Sequence, residues 1–478
     1  MSVIVSPART ACSASPRTRN EGTGDSCPVP LLCLFAGAVL WLGVALALGL
    51  MDSVKFHNPE FLAAGPYLSY GRVHAAQNAA LLHGFGVPAA LGLGLWLLCR
   101  LGRAALAAPL AVLLGVVFWN FALAAGVAAI LCGGGAGYEG FELPAWCAPV
   151  LLAAYILLGL CAFVTFDRRQ EDKLYPSQWF VIGSLFWFPW IFSTADLLLL
   201  VAPARGVLQA LIAWWYAHNL SQVFLGLAGL ASSFYFIPKL LGRPLHSRYL
   251  AALAFWTLAL FGSCGGVPNG APLPAWIVSL SVVGTVLTVV PLLAVATNFY
   301  FTVRRDLEAL DADPVLRFTY VGLVFWLIAG AQQIVGTLPN VSAITDFTWF
   351  GAAHGELFHN GFFALTVFGA LYYILPRLLG LDQAAWCPKL LTAHFLLAFV
   401  GVLIAYISLL AAGVGQGILL ADARNSFPDV MRRTMMPLRV STLGESFVLL
   451  GTILFLLNFA RILLAAGRRC RAERKERA

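Results

Sequence analysis

Charge is scarce in this chain. Only 11% of its 478 residues are Asp, Glu, Lys or Arg, while 60% are hydrophobic. No water-soluble domain can hide that much apolar surface, so a soluble globular protein is excluded. Cysteine is present but unpatterned: the 10 Cys include no C-x-x-C and no C-x-x-C-H, which excludes a covalently attached c-type haem. They read as small apolar fillers inside helices. No long Pro/Ser linker or charge run divides the sequence, so residues 29–467 read as one membrane domain.

What is there instead is a series of apolar runs, each long enough to cross roughly 30 Å of hydrocarbon at about 1.5 Å per residue. Twelve are expected, near 30–51, 75–99, 105–132, 144–166, 177–202, 206–238, 247–264, 275–303, 316–338, 349–375, 389–414 and 443–466. The fold class is therefore all-α, a polytopic bundle of transmembrane helices.

Most of the 30 Lys and Arg fall in the two tails and in the loops of one side. The positive-inside rule places that side, and both termini, in the cytoplasm. Residues 1–28, polar and rich in Ser, Thr and Pro, read as a disordered cytoplasmic tail with no cleavable apolar core. Residues 468–478 carry RRCRAERKER and read as a basic stop against membrane lipid rather than a nucleic-acid site. On the outer side, 133–144 (GGGAGYEGFELP) and 419–439 are the longest solvent-facing stretches expected, and either can dock a partner.

Ionisable side chains inside hydrocarbon are costly, which makes each a candidate for function. Five of the 8 His lie in or at the mouth of spans 2, 6 and 10: His74 and His83, His218, and His354 and His359. With the termini inside, all three spans run inward and these His fall in their first halves, so they form a layer in the outer half of the bilayer. A lone membrane His usually satisfies itself on a carbonyl; a layer shared by three helices points to a cofactor. His218 sits in WWYAHN (214–219), where the aromatic residues offer a flat wall to a porphyrin. His354 opens HGELFHN (354–360), and residues two apart on a helix face opposite sides, so such a helix can stand between two cofactors. Haem, whose iron takes His readily, is the first cofactor to consider.

From LSYGR (68–72) onward the sequence resembles the catalytic subunit I of haem-copper oxidases, specifically the cbb3-type cytochrome c oxidases. Besides WWYAHN, the resemblance rests on LFWFPWIFSTAD (185–196), FYFIPKLLGRP (234–244), FWTLALF (255–261), FGALYYILPRL (368–378) and AAGVGQG (411–417). Each string is weak alone; together, in one order and at family spacing across twelve helices, they are specific. The resemblance implies a low-spin haem held by two His, a high-spin haem held by one, and a copper held by three His, one linked to a Tyr.

Carried over position by position, the resemblance puts His218 on the copper ligand of span 6 and His354 on the high-spin haem ligand of span 10. The other ligand positions are replaced. The low-spin haem ligands fall on Gln77 and Glu356, the His pair of span 7 on Pro268 and Asn269, its upstream Tyr on Gly262, and a proton-delivering Glu of span 9 on Gln332. One His holds copper poorly, so copper is not expected, and GSCGGVPNG (262–270) should loosen or end the helix there. Cys264 is the one soft donor nearby. A single haem b on His354 is expected and the second haem site is not. His83, His74 and His359 are candidates for displaced ligands of a haem shifted inward, although six residues of α-helix turn His83 about 120° from the face of Gln77.

The resemblance implies a respiratory cytochrome c oxidase subunit in a bacterial inner membrane, taking electrons from a c-type cytochrome subunit and coupling oxygen reduction to proton movement. The replaced ligands oppose oxygen reduction. The alternative is a non-catalytic paralogue acting in assembly, electron storage or gas sensing.

Overall fold

The computed structural model describes residues 28–477, so all but the last residue of the segment expected to be a disordered tail lies outside the described residues. Everything regular among the described residues is helical. In hydrocarbon every backbone N–H and C=O must find an internal partner, and a helix supplies one without help from other segments.

The spans are α1 Val29–His57, α2 Tyr70–Gly102, α3 Pro109–Leu131, α4 Ala148–Asp167, α5 Pro176–Val201, α6 Leu208–Leu241, α7 Arg248–Gly262, α8 Ala275–Val303, α9 Pro314–Gly336, α10 Trp349–Leu378, α11 Pro388–Ala421 and α12 Phe427–Arg477. Eleven are long and apolar enough to cross a membrane. The exception, α7, has 15 residues and covers only about 22 Å. It stops at Gly262, where the Gly/Pro-rich stretch was expected to end it. Several spans open on a proline at the first turn, among them Pro109, Pro176, Pro314 and Pro388, a position where the missing N–H costs nothing.

Two segments expected to face outward differ from the reading of the sequence. The stretch expected as a solvent-facing loop at 419–439 is helical from Phe427 and continuous with the last span. Val430, Thr434, Leu438 and Ser441 are buried along it, a stripe at helical spacing that pulls the segment onto the bundle. The other loop, 133–144, is buried from Gly140 onward, with Phe141, Glu142 and Leu143 inside. At the far end α12 continues through the basic tail as far as Arg477, with Arg469 reaching the Gly380 carbonyl.

Burial singles out three spans. The most apolar stretches of α2, α6 and α10 are 100%, 89% and 89% buried, against 28–50% for the other long spans. These inner helices carry the five His. Each also contains a wider, π-type turn, at Ala80–Gly86, Asn219–Leu225 and Leu357–Ala364. Such turns recur at functional sites and rotate each residue less than an α-turn does, so angles counted from a regular helix do not hold beyond them.

Candidate functional site

The N-terminal half of α6 is the hub on which the inner histidines converge. His218 and His354 line one cavity of about 310 Å³, together with Gln333 of α9, Gly266 and Asn269 beyond α7, and Asp346 before α10. His354, His218 and His359 are close enough to interact electrostatically.

His218 has no free ring nitrogen. Its Nε2 donates to the Gly262 carbonyl at 2.8 Å, and its Nδ1 lies 3.3 Å from the Gln333 side-chain amide. The chain beyond α7 is seated directly on the ring. A Cβ at Gly265 would fall 2.5 Å from Nε2, and one at Gly266 would fall 2.5 Å from the His218 Cβ. Gly266 also has φ +101°, which side-chain-bearing residues rarely adopt. Of the residues at the family's other copper positions, Asn269 donates to the Thr337 carbonyl at 2.9 Å and to Ser342 at 2.6 Å, and Pro268 offers no side-chain donor. Cys264 turns its thiol to the Leu260 carbonyl. Among the described residues no group of three or more His, Cys, Asp or Glu is arranged to hold a metal. This donor set does not fit copper.

His354 is arranged differently. Its Nε2 lies 2.8 Å from Gln222 Nε2, so it accepts the amide proton, which puts the ring proton on Nδ1. That Nδ1 faces the Ala329 carbonyl of α9 at a geometry short of a full hydrogen bond. A metal-binding His is held in the same way, its outer nitrogen on a carbonyl and its lone pair presented inward. One haem iron bound through Nε2 fits this residue, with the Gln222 side chain displaced. One turn on, His359 bonds Ser221 of α6 at 3.0 Å.

The low-spin haem pair does not fit. Gln77 packs against α1 at Gly49. Glu356 accepts from Asn360 at 2.7 Å, and its other oxygen is buried without a partner. Glu445 of α12, with Asp52 of α1 beside it, lies close enough to interact with Glu356. Gln332 of α9 donates to the Phe350 carbonyl at 3.1 Å.

His83 and His74 stand apart from this cavity. His83 is wholly buried, bonded through Nε2 to the Tyr216 hydroxyl at 2.9 Å with the rings nearly parallel. His74 pairs with Asp52 at 2.9 Å, and Asn78 links it to Glu142 at 3.2 Å. Glu142 is buried where the 133–144 loop folds down, and Gly140 at the turn passes so close that a Cβ there would sit 2.7 Å from Ala217. Burial pushes the Glu142 carboxyl up to about 7, against the opposing bonds from the Gly140 N–H and Asn78. No direct contact joins His83, His74 and His359 among the described residues.

Residues 30–464 match the family of cytochrome c and quinol oxidase polypeptide I. The chain belongs to that family. It is 28% identical over 451 residues to cytochrome c oxidase subunit 1 of Rhodobacter capsulatus, covering 89% of this chain and 82% of that one. It is 26% identical over 392 residues to the cbb3-type cytochrome c oxidase subunit CcoN1 of Stutzerimonas stutzeri, covering 80% and 82%. A cytochrome c oxidase subunit 1 homolog of Azorhizobium caulinodans is 25% identical over 393 residues, covering 80% and 71%. The chain is thus a multi-pass bacterial membrane protein of the respiratory oxidase type, in a family that binds haem.

The sequence reading missed the partners of the histidines: Ser221, Gln222 and Tyr216 on α6, Gln333 on α9, and the Asn78–Glu142 link. One signal was available. Gln222 follows His218 by four residues, a spacing that puts both on one face of an inner helix.

Proposed function

We propose that this polypeptide I homologue is a haem-binding membrane subunit that does not reduce dioxygen. The observation that carries the reading is the contrast between two histidines of one cavity. Both ring nitrogens of His218 are engaged, by the Gly262 carbonyl and by Gln333, and its ring lies under the chain that follows α7. His354 keeps a lone pair directed inward, opposed only by a side-chain amide.

In this reading one haem b is held by His354 and supplies one-electron chemistry at its iron. The protein's own part is to orient that ligand. Ala329 faces its outer nitrogen, Gln222 covers the inner one, and the rings of Phe358 and Phe350 stand beside the site. Electrons would pass to and from a c-type cytochrome subunit in the same membrane, with both termini of this chain in the cytoplasm. A role in electron storage, assembly or gas sensing is then favoured over oxygen reduction, because the donors for a second metal are missing.

Haem and metal analysis of the purified chain tests this. One b-type haem and no stoichiometric copper per chain supports the reading. Two haems with one copper would restore the oxidase mechanism.

A further inference from the structure

At the end of the bundle opposite the histidine layer, a second cavity of about 420 Å³ lies where α2, α5 and the α6–α7 loop meet. Lys239, Arg243 and Arg248 line it, beside the aromatic rings of Tyr175 and Tyr235 and the apolar Leu245, and no acidic side chain does. Arg243 is satisfied by Asp306 at 2.6 Å. Lys239 and Arg248 have no carboxylate partner among the described residues. More positive charge stands behind the wall, because Arg100 bonds Tyr235 and Arg377 lies close to it. Tyr175 is fixed by its hydroxyl, which donates to the Phe234 carbonyl at 2.9 Å.

Exposed cations at helix ends reach toward the headgroup region, where an anion is their natural counter-ion. This cavity supplies two that the protein leaves unpaired, over a floor that is aromatic and apolar rather than polar. A ligand matching both features is anionic at one end and apolar at the other. The basic side of the membrane, where these loops fall, is also where anionic lipid headgroups attract Lys and Arg. We propose that the cavity binds the phosphate of an anionic phospholipid headgroup, with Lys239 and Arg248 as its counter-ions. This does not depend on the haem reading, since the two sites lie at opposite ends of α6.

The test is native mass spectrometry of the full chain released from nanodiscs of phosphatidylcholine containing a minor fraction of phosphatidylglycerol. The wild type should retain one phosphatidylglycerol. Lys239→Gln with Arg248→Gln should bind it about thirtyfold more weakly, from about one interaction lost per cation, and Lys239→Gln alone about fivefold more weakly. Lys389→Gln, on the same membrane face but outside the cavity, should bind as the wild type does. Equal retention by the double variant overturns the proposal, and so does an equal loss in Lys389→Gln, which would mean diffuse surface charge. Should the double variant fail to insert, the single one decides by the same comparison. Inorganic phosphate at millimolar concentration should leave the lipid bound; its displacing the lipid would reassign the site to free phosphate.

Discussion

The Nε2 atom of His354 on α10 sits 2.8 Å from the side-chain nitrogen of Gln222 on α6. That contact leaves the imidazole neutral with its lone pair pointing inward, the state an iron ligand needs. Replacing His354 by Ala should lower b-type haem per chain at least as much as the roughly 10–100-fold that even outer-shell partners are worth. Gln222→Ala should keep the haem, because it removes only the group opposing the lone pair. Visible spectra normalised to protein check both, and full haem in His354→Ala would show that the ligand is elsewhere.

Much of this arrangement was legible beforehand. The order of the helices follows from hydropathy, with eleven of the twelve expected spans long and apolar enough to cross a membrane, and of the five His expected to share a layer, His218, His354 and His359 come close together. Three things did not follow. The π-type turns in α2, α6 and α10 have no sequence signature in hydrophobic periodicity, and they change which face of its own helix each of His83 and His359 occupies. The partners Gln222, Gln333 and Ser221 are ordinary polar residues until packing brings them against an imidazole. The loop carrying Glu142 reads as solvent-facing because its glycines and charges resemble a surface turn, whereas the Phe141–Leu143 segment is apolar enough to fold inward.

The buried Glu142 should make stability depend on pH. Its carboxyl is pushed up to about 7 by burial, so the folded state holds its proton more tightly than the unfolded chain does. Its contribution is fully present below the ordinary carboxylate range and is lost as pH rises through about 7. The span corresponds to a few kcal/mol, about 3 at most. Thermal unfolding in detergent should therefore show a lower Tm at pH 8 than at pH 5, and Glu142→Gln should flatten that difference. A slope unchanged in Glu142→Gln would mean another group titrates.

The Asp52–His74 pair is structural in this account. Removing the imidazole in His74→Ala leaves Asp52, which is buried and already has one oxygen without a partner, with none for the other. The cost should be about 1–3 kcal/mol, with the haem spectrum unaltered. A spectral shift would instead support a haem ligated by the displaced histidines.

Tyr216→Phe offers the matching test at His83. It deletes the hydroxyl bonded to His83 Nε2 at 2.9 Å and leaves a wholly buried imidazole unsatisfied, again at about 1–3 kcal/mol. Stability measured by denaturation should fall while haem content holds. Loss of haem together with the hydroxyl would place His83 in the cofactor site.

The most direct measurement of the central claim is copper per chain, by elemental mass spectrometry, in the wild type and in His218→Ala purified after growth with added copper, with oxygen consumption followed in parallel. The engaged nitrogens of His218, the lack of a side-chain ligand at Pro268 and the engaged amide of Asn269 predict well under one copper per chain, the same amount in both proteins and no oxygen consumption. One copper per chain that disappears with His218, accompanied by oxygen uptake in the wild type, would contradict the account.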